Sequence, residues 1–176
     1  MIVSVSGLSG CGKNSVGEAV ARKLGLRAVQ ASFKDEAKRL GVTLMELQEM
    51  AEKDKEFDLK LDRHVVDEAS KGGCVVMTWL GPWMVKDADL RVWLNAGEEV
   101  RAARISKRDG MGPQEALRHV RERDGENRAR YKKYYGIDIL DHSIFDLEIN
   151  TAAFSPDASA EIIACAARQQ KNQGRQ

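Results

Sequence analysis

The stretch Gly7-Leu8-Ser9-Gly10-Cys11-Gly12-Lys13-Asn14-Ser15 constrains the fold more than any other part of the chain. It follows a β-branched apolar run, Met1 to Ser6, and it opens an amphipathic stretch, Lys13 to Leu24, whose Val16, Ala19, Val20 and Leu24 share one face. The order is therefore strand, glycine-rich loop, helix. Glycines let the backbone curl into a concave nest of inward-pointing N–H groups, and the helix start adds the positive end of its dipole. Such a nest suits a di- or triphosphate. Lys13, on a long flexible stem, is the point charge for the β and γ phosphates. The hydroxyl expected to hold magnesium is Ser15, with Asn14 in the place directly after the lysine. Cys11 reads as a small residue whose backbone is what the loop uses. An ordinary glycine-rich turn is the plain alternative, and the full spacing between a strand and a helix argues against it.

The rest of the chain fits around that unit. Its 176 residues are 43% apolar with a net charge of +1, which excludes disorder and favours one domain with one core. Short apolar runs alternate with amphipathic stretches, the pattern of a layered α/β domain with a largely parallel sheet. Five strands are predicted: Met1 to Ser6, Leu26 to Gln30, Cys74 to Thr78, Leu90 to Leu94 and Phe145 to Ile149. Helices are predicted over Lys13 to Leu24, Phe33 to Leu40, Thr43 to Lys53, Phe57 to Lys71, Gly97 to Arg108, Pro113 to Tyr134 and Pro156 to Gln170. Thr43 with Glu46 is a capping-box pattern, and residues 171–176 read as a frayed tail.

Three scattered cysteines suggest neither disulfides nor a zinc site, and three scattered histidines suggest no ligand cluster. No apolar run is long enough to span a membrane, and the first residues lack a basic n-region and a cleavage signature, so a cytoplasmic protein is expected. Charge is uneven. Arg101 to Lys133 holds eleven Lys and Arg against five Asp and Glu, which points to an anionic partner. Small phosphorylated ligands fit better than nucleic acid, because the overall charge is near zero and aromatics do not interleave the basic residues.

The loop, with its hydroxyl one place late, resembles those of nucleoside monophosphate kinases. Further along, Leu90-Arg91-Val92-Trp93-Leu94, the Glu122-Arg123-Asp124 to Tyr135-Gly136-Ile137-Asp138 stretch and Phe145-Asp146-Leu147-Glu148-Ile149-Asn150-Thr151 are similar to archaeal-type cytidylate kinases, and Leu59 to Arg63 (LKLDR) agrees. The resemblance spans nearly the whole chain. It implies a three-layer P-loop kinase fold over residues 1–170, with acceptor-binding helices at about 32–72 and a lid at about 104–130. It also implies transfer of the γ-phosphoryl of ATP to CMP or dCMP, with magnesium, by a monomer. On that pattern Lys13, Arg104 and Arg108 serve the transferring phosphoryl, and Gly7 to Ser15 hold ATP, with Ser15 on the metal. Lys34, Arg63, Arg123, Asn127 and Arg130 serve the acceptor. Asp62 with Arg63 reads equally well as a structural ion pair.

Two departures bear on the acceptor site. The turn after the second strand is shortened and ends in Phe33-Lys34 where the family has Phe-Arg, so the charge is kept but not the fork. After the third strand the chain reads Met77-Thr78-Trp79-Leu80 where the family has a Glu-Gly-Arg-Leu-like sequence. Trp79, with Trp83 and Met84, reads either as a core and pocket-wall residue or as part of a rebuilt acceptor site, lining it or stacking on a base. The rival functions are accordingly a nucleotide-binding paralogue acting as a regulatory module, or a kinase for another small phosphorylated acceptor.

Overall fold

The apolar runs assemble into one parallel sheet. In the computed structural model, which describes residues 1–30, 37, 40–43, 46 and 55–173, the strands are β1 (Ile2–Ser6), β2 (Arg27–Val29), β3 (Cys74–Met77), β4 (Leu90–Asn95) and β5 (Leu147–Asn150). Their order across the sheet is β2-β3-β1-β4-β5, and every pairing is parallel. The central strands are buried along their length, as expected where helices cover both faces. The described helices are α1 (Lys13–Leu24), α2 (Lys55–Ser70), α3 (Gly81–Met84), α4 (Glu98–Asp109), α5 (Pro113–Tyr135) and α6 (Pro156–Gln173).

Side-chain alternation splits the core in two. Val3, Val5, Val75, Met77, Val92 and Leu94 pack with Val16 and Val20 of α1 and Ile163 of α6 on one face. Ile2, Cys74 and Val76 pack with Val65 and Ala69 of α2 and with Val85 on the other. Each fully buried Val or Leu contributes roughly 1.5–3 kcal/mol, so this three-layer arrangement, and not the polar loops, fixes where the strand ends lie. Away from the sheet, α4 and α5 join through a small core of Ala102, Ile105, Ala116 and Val120.

The five-stranded α/β reading is therefore correct, with boundary shifts that have local causes. The fifth strand starts at Leu147, two residues late. Phe145 is held in a turn by its N–H to the His142 carbonyl (3.1 Å), and its ring packs on Trp83 and Trp93 at 5.3 and 5.2 Å. Helix α3 lies where the sequence predicts no element; it forms because Pro82 is suited to a first turn and the Gly81 N–H bonds to Thr78 Oγ1 at 2.8 Å. Helix α6 continues through residues 171–173, which the sequence assigns to the tail. Thr43 and Glu46 make the reciprocal bonds of a capping box: Thr43 N–H to Glu46 Oε2 at 2.8 Å and Glu46 N–H to Thr43 Oγ1 at 3.2 Å. Most of the helices predicted over 33–40 and 43–53 lies outside the described residues.

The end of α5 is tied to the following turn. Arg128 donates both Nε and Nη2 to the Asp138 carboxylate at 2.9 and 2.7 Å, and the Leu140 N–H adds a third bond at 3.1 Å. The Arg128 hydrogen bond, then that of Leu140, pulls the Asp138 pKa from 3.8 to about 2. A carboxyl depressed on folding contributes stability above its unfolded pKa and loses it as pH falls through the folded one. Asp138→Asn should therefore lower the melting temperature at pH 7. The difference from wild type should shrink between pH 4 and pH 2, as thermal melts across that range would report.

Candidate phosphate-binding site

Strands β1, β3 and β4 all end at the same edge of the sheet, and the loop between β1 and α1 crosses it. The loop adopts a conformation only glycine allows. Gly10 has φ 77°, and a Cβ there would lie 2.7 Å from the Arg101 carbonyl oxygen. At Gly7 a Cβ would run into the Leu94 carbonyl. The loop is thus pressed against the end of β4 and the start of α4, and the α1 N-terminus at Gly12 opens behind it.

The loop is held from outside. Arg101, only 5% exposed, donates Nε to the Ala96 carbonyl at 3.1 Å and Nη1 to the Ser9 carbonyl at 2.9 Å and to Asp124 at 2.6 Å. Asp124 accepts the Ser9 N–H at 3.0 Å. Arg104 donates to the Gly10 carbonyl at 3.3 Å, and to Thr151 Oγ1 and carbonyl at 3.0 and 2.6 Å. The Thr151 hydroxyl donates to the Cys11 carbonyl at 2.8 Å. Losing one partner of a pair as buried as Arg101 and Asp124 costs about 3–5 kcal/mol, because the other charge stays buried.

Before the loop lies a cleft of about 680 Å³. Most of the residues singled out from sequence meet there: Ser9 to Ser15 from the loop, Arg104 and Arg108 from α4, and Arg123, Asn127 and Arg130 from α5. Lys13 donates Nζ to the Gly7 and Leu8 carbonyls at 2.6 and 3.2 Å, and the ammonium sits 4.7 Å from the centre of the Trp79 ring. Burial pulls its pKa below the ordinary lysine value; Arg123 and Arg101 act in the same direction, and Cys11 and Asp124 oppose them. Arg108 pairs with Asp109 through Nε and Nη2 at 2.7 and 2.6 Å, and its hydrogen bond holds the Asp109 carboxyl below the usual range. Arg130 donates to Asn127 Oδ1 at 2.8 Å and lies 5.1 Å from the Tyr131 ring.

Other expectations separate. Arg63 is exposed and does not line the cleft, whereas its neighbour Asp62 does, since adjacent helical residues point about 100° apart. Asp62 accepts from Tyr135 Oη at 2.5 Å, so its neighbour on this side is a phenol. Lys34 lies outside the described residues. Trp79 takes the pocket-wall place, between Lys13 and Tyr131, whose ring centre is 6.3 Å away. Its backbone is fixed by Ser6 Oγ, which donates to the Trp79 carbonyl at 2.7 Å. Sequence reasoning counted Arg101 among the basic residues of its stretch but missed its burial, and it missed Asp124 and Thr151 as site residues. The one available signal was that both lie inside the family-like stretches that carry Arg123 and the fifth strand.

Magnesium is a hard cation that takes oxygen ligands and keeps much of its water. The Ser15 hydroxyl, on an exposed residue that lines the cleft beside the loop amides, fits such an ion shared with phosphate oxygens. Among the described residues no group of three His, Cys, Asp or Glu side chains could hold a metal without a ligand's help.

A sequence profile of the cytidylate kinase-like family matches residues 2–153. A cytidylate kinase of Pyrococcus horikoshii is 42% identical over 168 residues, which cover 94% of this chain and 88% of that protein. One of Ignicoccus hospitalis is 44% identical over 165 residues, covering 92% and 96%. Among solved structures, shikimate kinase from Aquifex aeolicus superposes with a TM-score of 0.64 at 18% identity, over 99% of this chain and 100% of that one. Shikimate kinase from Acinetobacter baumannii gives 0.62 at 15% identity, over 97% and 94%. Those two share the fold.

The geometry of Gly10 gives a direct test of the loop. Gly10→Ala should fold, at a cost of about 1–3 kcal/mol for the strained φ. It should also displace the loop from Arg101 and weaken ADP binding at least tenfold by calorimetry; unchanged affinity would show that the observed close approach is not required.

Proposed function

The chain belongs to the cytidylate kinase-like family, and from that premise we propose that it transfers the γ-phosphoryl of ATP to CMP or dCMP. The observation that carries the reading is the convergence on one cleft of the phosphate loop with Lys13 and, facing it, Arg104, Arg108, Arg123 and Arg130. Two polyanions repel each other, so bringing them together needs cations on both sides and little water between. The loop amides and Lys13 hold the donor phosphates. Arg123 and Arg130, with Asn127 between them on α5, hold the acceptor phosphate and its nucleoside, and Lys34 is the further acceptor cation that the family pattern supplies. Trp79 and Tyr131 give the apolar wall against which the acceptor is oriented.

Arg104 and Arg108 face the transferring group from α4. Arg104 is already fixed to the loop and Thr151, so it supplies a preset charge. Arg108 is held by Asp109 at the end of the helix, next to Gly110 and Gly112, and would exchange that carboxylate for phosphoryl oxygens as residues 104–130 close. Ser15 would hold magnesium together with phosphate oxygens, and the ion, when bound, neutralises charge developing on the β and γ oxygens. No general base is required, because positioning and electrostatics carry most of the reaction.

Lys13 is a charge taken partly out of water and satisfied by two carbonyls, so its removal should not unfold the protein. Lys13→Ala should keep the wild-type melting temperature within a few degrees and lower turnover about a thousandfold, the scale for losing a preorganised donor. The assay is coupled ADP release with ATP and magnesium against CMP, dCMP, UMP, AMP and GMP. Turnover confined to CMP and dCMP is expected; ATP binding with no response to any acceptor would overturn the kinase reading in favour of a binding module.

A further inference from the structure

Asp124 does not line the cleft, yet it touches the phosphate loop more directly than any residue that does so from α5. One carboxylate oxygen accepts the Ser9 N–H, and the other accepts Arg101 Nη1, which in turn donates to the Ser9 carbonyl. The peptide groups on both sides of Ser9 are thus gripped by one ion pair whose members come from α4 and α5. The side chains of Arg101 and Asp124 are 6% and 14% exposed. The grip leaves the Ser9 N–H turned to Asp124 and therefore unable to serve a phosphate. The Ser9 hydroxyl remains, buried and without a partner among the described residues, on a residue that does line the cleft. Immediately beside Asp124, Arg123 lines the cleft from α5.

We infer that Asp124 is a positioning residue for the donor half of the reaction: through Ser9 it sets the crest of the phosphate loop, while its neighbour Arg123 serves the acceptor. The inference rests on the kinase reading for its acceptor side only. Two consecutive residues of one helix then answer to opposite substrates. Arg123 acts by contact with an anion, and Asp124 acts by fixing the backbone that surrounds one. An ion pair that merely stabilised the packing of α4 on α5 would give no such division, since loosening α5 would disturb both substrates together. Charge-assisted bonds to backbone amides are among the stronger ones, and no other described side chain accepts the Ser9 N–H.

The test uses the full chain. Binding of a non-hydrolysable ATP analogue without acceptor, and of CMP without donor, would be measured by calorimetry for wild type, Asp124→Asn, Arg123→Ala and the double variant Arg101→Met with Asp124→Asn. The double variant leaves no unpaired buried charge, and it carries the test if the single one does not fold. Asp124→Asn and the double variant should each weaken the ATP analogue roughly tenfold or more and lower kcat, with CMP affinity within about twofold of wild type. Arg123→Ala should do the reverse, weakening CMP and sparing the analogue. Equal losses for both ligands in Asp124→Asn, or wild-type donor affinity in the double variant, would overturn the inference. A wild-type protein that binds the analogue but never turns over CMP would instead count against the kinase reading, and the donor measurements would still decide the role of Asp124.

Discussion

A loop that turns on three glycines cannot hold its own shape. Gly7, Gly10 and Gly12 give the backbone its curvature, but they contribute no side chains with which to pack it, and each is free to take other conformations at little cost. The nest exists because its outward-facing groups are used up elsewhere: the Ser9 carbonyl by Arg101, the Ser9 N–H by Asp124, the Gly10 carbonyl by Arg104 and the Cys11 carbonyl by Thr151. Those four anchors come from α4, α5 and the residue after β5. The sheet order explains why they can converge. β1 lies beside β4, and β4 beside β5, so the loop after β1, the helix after β4 and the turn after β5 emerge side by side.

That dependence sets what could be read from sequence. The strands and the loop were legible because they depend on local pattern: continuous apolar runs for buried parallel strands, and glycine spacing for the nest. The cleft arginines were legible as a group, through the basic third of the chain and the family resemblance. Arg104 and Arg108, at helical spacing, do face the cleft together. Individual roles were less legible. Arg101 sits on the same face as Arg104 and carries the same charge, yet it is consumed by Ala96, Ser9 and Asp124. What distinguishes the two is the position of α5, a long-range fact no local window contains. Arg63 and Asp62 show the same limit at one-residue scale, since helix phase decided which of the two reached the cleft. Phe145 shows it for strands: its β propensity favoured an earlier start to β5, and the aromatic cluster with Trp83 and Trp93 claimed it first.

The departures around Trp79 also have a physical account. With neither an acid nor an arginine after β3, the cleft gains an aromatic face over Lys13 at 4.7 Å. A cation against a ring is stabilised without a counter-charge, so Lys13 is held in place without a carboxylate that would compete with phosphate. Across the cleft, α5 brings Arg123 and Arg130.

The cleft cations differ in what they would give up to a phosphate. Lys13 is bound to two neutral carbonyls, so exchanging either for an anionic oxygen replaces a neutral acceptor by a charged one, while Arg104 keeps the bonds that hold the loop. Hydrogen bonds to ionised acceptors are roughly twice as strong, and that difference is available to binding. Arg108 would leave a carboxylate for a phosphate, an exchange of like for like on an exposed side chain, where pairing is worth little. On the proposed reading its contribution is therefore orientation at the moment of transfer, with ground-state affinity coming from the buried side of the cleft, where the loop is clamped.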